Sequence, residues 1–260
     1  MQPKAITHNG KPLGGARFPA ICAPLVGRTR EALLAEAAAV AAKKPDLIEW
    51  RVDFHDGVAD ARAVAELAGR IKQAAKGIPI LFTCRWGREG GEKIALSQAE
   101  VVALYGAVCE SGHVDFIDFE MGNEPDQVQQ VREISRAHAT QLILSFHDFQ
   151  RTPGVEALSQ RFAQAEQLGA DIAKVAVMPR DMQDVLALLD ATLQSSRKLR
   201  IPLVSMAMGG LGAVTRLCGG AFGSAMSFAI GQSASAPGQM PIEDLAAGLA
   251  ILRKSLGPST

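Results

Sequence analysis

A chain of 260 residues with 48% apolar side chains has material for one large domain with its own core. Lys plus Arg and Asp plus Glu both number 27, so the formal net charge is zero. That balance excludes the basic surface of a nucleic-acid binder and the acidic tail of a disordered partner. A ligand must then be held by local charge rather than by a field of the whole chain.

The opening Met-Gln-Pro-Lys lacks the apolar core of a secretory signal, and a cytoplasmic location is expected. Cys22, Cys84, Cys109 and Cys218 form no C-x-x-C pair and read as buried free thiols. Residues 217–242 carry no charge, but glycines, prolines and serines interrupt them. They suit a buried last strand followed by a mobile loop, not a membrane span.

In chain order, Asn9-Gly10 between Ile6 and Leu13 predicts a short N-terminal hairpin. Strand-type runs follow at residues 20–26, 46–52, 78–85, 114–120, 141–147, 171–177, 202–208 and 224–230. Between most of them lie Ala/Leu/Glu/Gln-rich stretches with helical spacing, as at 30–43, 59–76, 97–111, 125–138 and 155–168. Pro125 opens a helix, and Gly112 and Gly169 close helices before strands. The repeated βα unit predicts a (β/α)8 TIM barrel forming one domain over residues 1–260. A doubly wound open sheet is the structural alternative, but no glycine fingerprint follows the first strand.

Strand side chains alternate faces. In 47–53, Ile48, Trp50 and Val52 share one face, while Glu49, Arg51 and Asp53 share the other. If the apolar set faces the helices, Glu49 and Arg51 point into the barrel. They are then either a structural ion pair or part of a polar ligand site at the C-terminal mouth. The pattern recurs with Thr83 and Arg85, Asp118 and Glu120, and Ser145 and His147. Lys174 stands in an apolar run with Ile172 and Ala176 on its face. A lysine nucleophile for a carbonyl needs a neutral amine, which burial and neighbouring cations favour. Arg51 and Arg85 are the candidate neighbours. His147, at the end of the adjacent strand, is a candidate general base. No H-E-x-x-H, Walker loop or G-x-S-x-G is present, so neither metal nor nucleotide is expected. Gly90-Gly91 and Gly209-Gly210 read as turns.

These residues stand in ordered blocks. They are Glu49-Trp50-Arg51-Val52-Asp53, Phe82-Thr83-Cys84-Arg85, Glu89-Gly90-Gly91-Glu92, Ser145-Phe146-His147-Asp148-Phe149, Lys174, Met206-Ala207-Met208-Gly209, Thr215-Arg216, and 233–239, which ends Ser235-Ala236-Pro237-Gly238-Gln239. The set, spanning residues 19–239, resembles the type I 3-dehydroquinate dehydratases of the shikimate pathway. The resemblance implies a (β/α)8 barrel, usually a homodimer, acting on the small molecule 3-dehydroquinate without cofactor or metal. It implies Lys174 as Schiff-base nucleophile, His147 as acid–base group and Glu89 as its partner. Arg216 would grip the substrate carboxylate and Glu49 the ring hydroxyls. Arg51 and Arg85 would add polar contacts, Met206 and Met208 an apolar floor, and Ser235 and Gln239 a closing loop. Phe149 and Phe228 would help wall the ring. The chain departs from many relatives at Ala207 and Thr215, and has Ala23-Pro24 where some members carry a substrate-touching serine. A class I aldolase and a non-catalytic binding barrel are the competing readings. The first calls for phosphate-gripping backbone, for which Gly209-Gly210 is the candidate.

Overall fold

The computed structural model describes residues 4–14 and 19–256. Strands β1 (Thr7–His8) and β2 (Lys11–Pro12) form the predicted hairpin, whose turn holds Asn9 at φ 49° and Gly10 at φ 73°. Ile6 and Leu13 are buried at the base of the barrel interior, with Leu47, Leu81, Phe116, Ile143 and Ile172. The hairpin therefore plugs the N-terminal end.

The remaining elements alternate. They are β3 (Ala20–Leu25), α1 (Arg30–Ala42), β4 (Leu47–Arg51), α2 (Ala61–Ala74), β5 (Ile80–Thr83), α3 (Gln98–Glu110), β6 (Phe116–Glu120), α4 (Pro125–Ala137), β7 (Gln141–Asp148), α5 (Val155–Gln167), β8 (Ile172–Val177), α6 (Met182–Lys198), β9 (Leu203–Ala207), α7 (Gly209–Phe222), β10 (Met226–Phe228) and α8 (Ile242–Leu256). The eight strands from β3 onward are parallel and neighbour one another in sequence order, with β10 returning to β3. Between β9 and β10 the barrel closes through Ala225 N–H donating to Leu203 O at 2.8 Å and Ser205 N–H donating to the Ser224 hydroxyl at 3.0 Å. This is the predicted (β/α)8 barrel.

Local chemistry sets the element ends. Thr29 and Asp60 cap α1 and α2 with their side chains, and Ser97 and Glu100 form a reciprocal capping box on α3. Gly112 (φ 68°) and Gly169 (φ 83°) follow the C-caps of α3 and α5 in the left-handed region. At the base, Asp46, Asp115 and Asp171 each accept a backbone N–H from a neighbouring strand entry, those of Ile21, Ile80 and Leu142, at 2.8 Å.

Three sequence expectations need correction. The run 78–85 forms a strand only over Ile80–Thr83. Beyond Thr83 the amides turn to side-chain acceptors: Cys84 to the Tyr105 hydroxyl (3.0 Å), Arg85 to Asp53 (3.3 Å) and Trp86 to Glu120 (3.0 Å). The run 224–230 shortens to Met226–Phe228, because Ser224 spends its hydroxyl on β9 while Ile230 N–H donates to Met240 O at 2.8 Å. Gly209-Gly210 is no free-standing turn. Gly209 (φ 69°) swings the chain out of β9, and the pair begins α7.

The outer strand faces pack on the helices through Ile48, Trp50, Val52, Phe82 and Val175. Trp50, Phe82, Tyr105 and Phe119 stack edge to face at 5.4–5.5 Å between centroids, and the Tyr105 hydroxyl donates to Asp118 O at 2.6 Å. This rigid outer layer holds β4, β5 and β6, whose inner faces carry charge. Among the described residues, no helix is long and apolar enough to cross a membrane. Cys22, Cys84 and Cys109 are buried and Cys218 is partly so, all as free thiols.

Candidate active site

Above the apolar base the barrel interior turns polar. Glu49 on β4, Thr83 on β5, Asp118 on β6, Ser145 on β7 and Lys174 on β8 form one buried polar cluster. Thr83 donates its hydroxyl to Glu49 at 3.0 Å. Asp118 accepts from Lys174 Nζ at 2.7 Å, from the Ser145 hydroxyl at 2.6 Å and from Arg85 at 2.9 Å. Arg85 also reaches Glu120 at 2.7 Å. Burial by itself would raise the Asp118 carboxyl, but Arg85 and Lys174 outweigh it and hold it well below the usual range.

The neighbours expected for Lys174 are therefore corrected. Arg51 forms a two-pronged pair with Asp53 at 2.7 and 2.8 Å, and Arg85 stands behind Asp118. The lysine nitrogen faces an anion, lies 3.9 Å from Glu49, and sits 4.6 Å from the centroid of the Phe228 ring.

At the C-terminal mouth, Glu89 comes from a short 3-10 turn, Gly87–Glu89, ended by Gly90 at φ 84°. At Gly91 any Cβ would meet Arg85 O at 1.9 Å, so only glycine lets the loop close on the strand end. Glu89 Oε2 accepts from the His147 backbone N–H at 2.8 Å and lies 2.9 Å from His147 Nδ1. Burial, then the nearby Glu120, pushes the Glu89 carboxyl up to about 8. Burial, then the Arg85 and Lys174 cations, holds His147 well below the ordinary imidazole value. The pair is thus uncharged near neutral pH. Ionisation of Glu89 fixes the proton on Nδ1 and leaves Nε2 as the free base.

The raised carboxyl has a consequence for stability. The folded chain keeps a proton on Glu89 that the unfolded chain releases above its ordinary value of 4.5. Stability from this group is present below that value and is lost as pH rises toward about 8. Glu89→Gln should lack that slope. Its melting temperature relative to the parent is expected to climb between pH 5 and pH 8 and then level off, as read by calorimetry. A flat difference would place the carboxyl in the ordinary range.

Arg216 enters from α7 and is 1% exposed. Its guanidinium donates to Phe228 O and Pro237 O, both at 3.2 Å, while its Nε is buried without a partner and burial lowers its pKa to about 10. No carboxylate neutralises it within the ion-pair distances seen elsewhere in the described residues, so it is a buried cation ready for an anion. The loop 231–240 lies across the mouth. Ser235 N–H donates to the Gln239 side chain at 2.9 Å, and Gln239 Nε2 donates to the Ser235 hydroxyl at 3.2 Å. Gly238 (φ 78°) passes so close to α7 that a Cβ would meet Gly209 O at 2.2 Å, and Gly209 N–H donates to Pro237 O. The Gly209 amide is therefore spent on the loop, which weakens the phosphate reading of Gly209-Gly210.

The eleven residues that the resemblance makes catalytic or substrate-binding line one cavity: Glu49, Arg51, Arg85, Glu89, His147, Lys174, Met206, Met208, Arg216, Ser235 and Gln239. Phe149, Phe228, Ala176, Gly90 and Ala236 complete its wall. Pro24 is absent from it. The volume is about 40 Å³, far below the few hundred Å³ of an open ligand site. The 231–240 loop forms part of its wall through Ser235, Ala236 and Gln239.

Fold and cavity together define a parallel (β/α)8-barrel enzyme with a small, charge-dense site at the C-terminal mouth, built for a small anionic molecule. The family model of Type I 3-dehydroquinase matches residues 21–255, and the chain belongs to that family. It is 57% identical to the 3-dehydroquinate dehydratase of Albidiferax ferrireducens, over 98% of this chain and 96% of that one. Among solved structures, the 3-dehydroquinate dehydratase of Geobacillus kaustophilus superposes with a TM-score of 0.94 at 47% identity, covering 97% of this chain and 98% of that one. The type I enzyme of Clostridium difficile, solved with covalently modified comenic acid, gives a TM-score of 0.92 at 35% identity, covering 97% and 99%.

Proposed function

We propose that this protein dehydrates 3-dehydroquinate to 3-dehydroshikimate, a shikimate-pathway step, through an imine at Lys174. The observation that carries this is the convergence of a buried lysine, a histidine–carboxylate couple and an unneutralised buried arginine on one small cavity. Family membership supports the reaction.

Arg216 takes the substrate carboxylate, which sets the ring above Met206 and Met208 and brings the ketone to Lys174. Glu49, Arg51 and Arg85 orient ring hydroxyls, and the Ser235–Gln239 loop shuts out water. Lys174 attacks the ketone carbon, and loss of water gives the protonated imine. That cation draws electrons from the adjacent carbon and acidifies its proton. His147 Nε2 removes this proton while Glu89 holds Nδ1. The same nitrogen then returns the proton to the leaving hydroxyl. One group serving both events from one side of the ring makes the elimination syn. The resemblance extends the proposal to a cytoplasmic homodimer working without cofactor or metal.

The test is intact mass after mixing protein, 3-dehydroquinate and borohydride, followed by peptide mapping. A reduced adduct on Lys174 is the expected result, and no adduct from folded protein would overturn it. Arg216→Gln, which removes the buried cation, should raise KM by about 10²–10³-fold with a smaller fall in kcat. Unchanged KM in steady-state kinetics would assign the carboxylate to another group.

A further inference from the structure

We propose that Asp118 is the counter-ion of the Lys174 nitrogen throughout the reaction, holding the ammonium of the free enzyme and then the protonated imine. This deepens the imine reading above and rests on it.

The argument starts from which groups face the nitrogen. β6 supplies Asp118 at 2.7 Å and β4 supplies Glu49 at 3.9 Å. The segment after β5 supplies Arg85, which stands behind Asp118 at 2.9 Å, and β7 supplies His147, whose imidazole lines the same cavity. β3 contributes the buried thiol of Cys22, β9 the uncharged Val204 and Met206, and β10 the Phe228 ring at 4.6 Å. From α7, the Arg216 cation lines the same cavity. Of the two carboxylates, Glu49 lines the cavity and is free to meet substrate. Asp118 is fully buried and does not line it, so a ligand cannot draw it away from the lysine. Its other donors, Ser145 at 2.6 Å and Arg85, come from the scaffold and fix its position.

Charge balance makes one anion sufficient for both states. An ammonium and a ketone give a protonated imine and one water, and the nitrogen carries one positive charge before and after. Loss of the adjacent proton to His147 leaves a neutral enamine. The enamine's electron pair then expels the hydroxyl, which leaves as water with that same proton, and the cation is restored beside Asp118. An anion at hydrogen-bond distance favours each cationic state over the neutral one.

The experiment measures adduct trapped by cyanoborohydride across pH 5–9 in the full chain and in Asp118→Asn, which keeps the shape but removes the charge. The trapping profile is a bell. Its acid limb reports formation of the adduct and its alkaline limb loss of the protonated imine. Both limbs should move to lower pH in Asp118→Asn, by roughly 1–3 units. Glu49→Gln should move them less. Loosened packing alone would lower the amplitude and leave the limbs in place. Should Asp118→Asn fail to fold, Ser145→Ala keeps the carboxylate but strips one of its donors, and both limbs should move to higher pH. Unmoved limbs, or a larger movement in Glu49→Gln, would overturn the counter-ion role. No adduct in the parent protein would instead bring down the imine reading, and this inference with it.

Discussion

Lys174→Ala is expected to cut turnover by about 10⁴–10⁶-fold, the loss typical of removing a covalent nucleophile, while the protein stays folded. The fold survives because no charge is stranded. Asp118 keeps Arg85 at 2.9 Å and the Ser145 hydroxyl at 2.6 Å, and Arg85 keeps Glu120 at 2.7 Å. One charge-assisted hydrogen bond and the packing of the lysine stem disappear, a cost of about 1–3 kcal/mol. Thermal melting should show a cooperative transition only a few degrees lower. Mixing with 3-dehydroquinate and borohydride should yield unmodified mass. Retained turnover would leave Lys174 as a structural cation, and a collapsed fold would mean that the Asp118 pairing matters more for stability than three donors on one carboxylate suggest.

How far the site was legible depended on what each residue's position requires. Strand periodicity alone turned Glu49, Arg51, Arg85, His147 and Lys174 inward, because a parallel barrel must give its outer strand faces to helices. It also exposed Asp118 on an inner face, but not its partner. Asp118 and Lys174 are two strands apart, and register sets Lys174 level with Ser145 and Glu120, so the Asp118 pairing comes from side-chain reach across β7, which period two does not specify. Periodicity therefore predicts cations beside the lysine, and the structure places an anion there. Glu89 and Arg216 lie off the strands, one on a loop shaped by Gly90 and Gly91, the other on a helix, and no periodic signal marks them. Only the resemblance singled them out. The strands stop short at Cys84 and Ser224 for a related reason. The Cys84 amide turns to the Tyr105 hydroxyl and the Ser224 amide to Gly219 O, acceptors from helices that strand periodicity does not reveal.

His147→Ala should be nearly as damaging and should fail in a different place. The imidazole has one nitrogen on Glu89 and the other free for the cavity, whereas the Lys174–Asp118 pair does not depend on it. Imine formation should then continue, slowed by the lack of a proton carrier, while removal of the adjacent proton and hydrolysis of the product imine both lose their base. General acid–base groups contribute about 10²–10⁴-fold, and a residue serving two steps belongs at the upper end. The expected result is a kcat reduced by that factor and a covalent species visible by intact mass without any reductant. The pH profile adds a second signature. In the parent, the free base at Nε2 appears as Glu89 ionises at about 8, so the rate should rise toward that pH and the rise should vanish in His147→Ala. A variant that turned over slowly with no accumulated adduct would move the slow step to imine formation. His147 would then serve the attack of Lys174 and not the elimination.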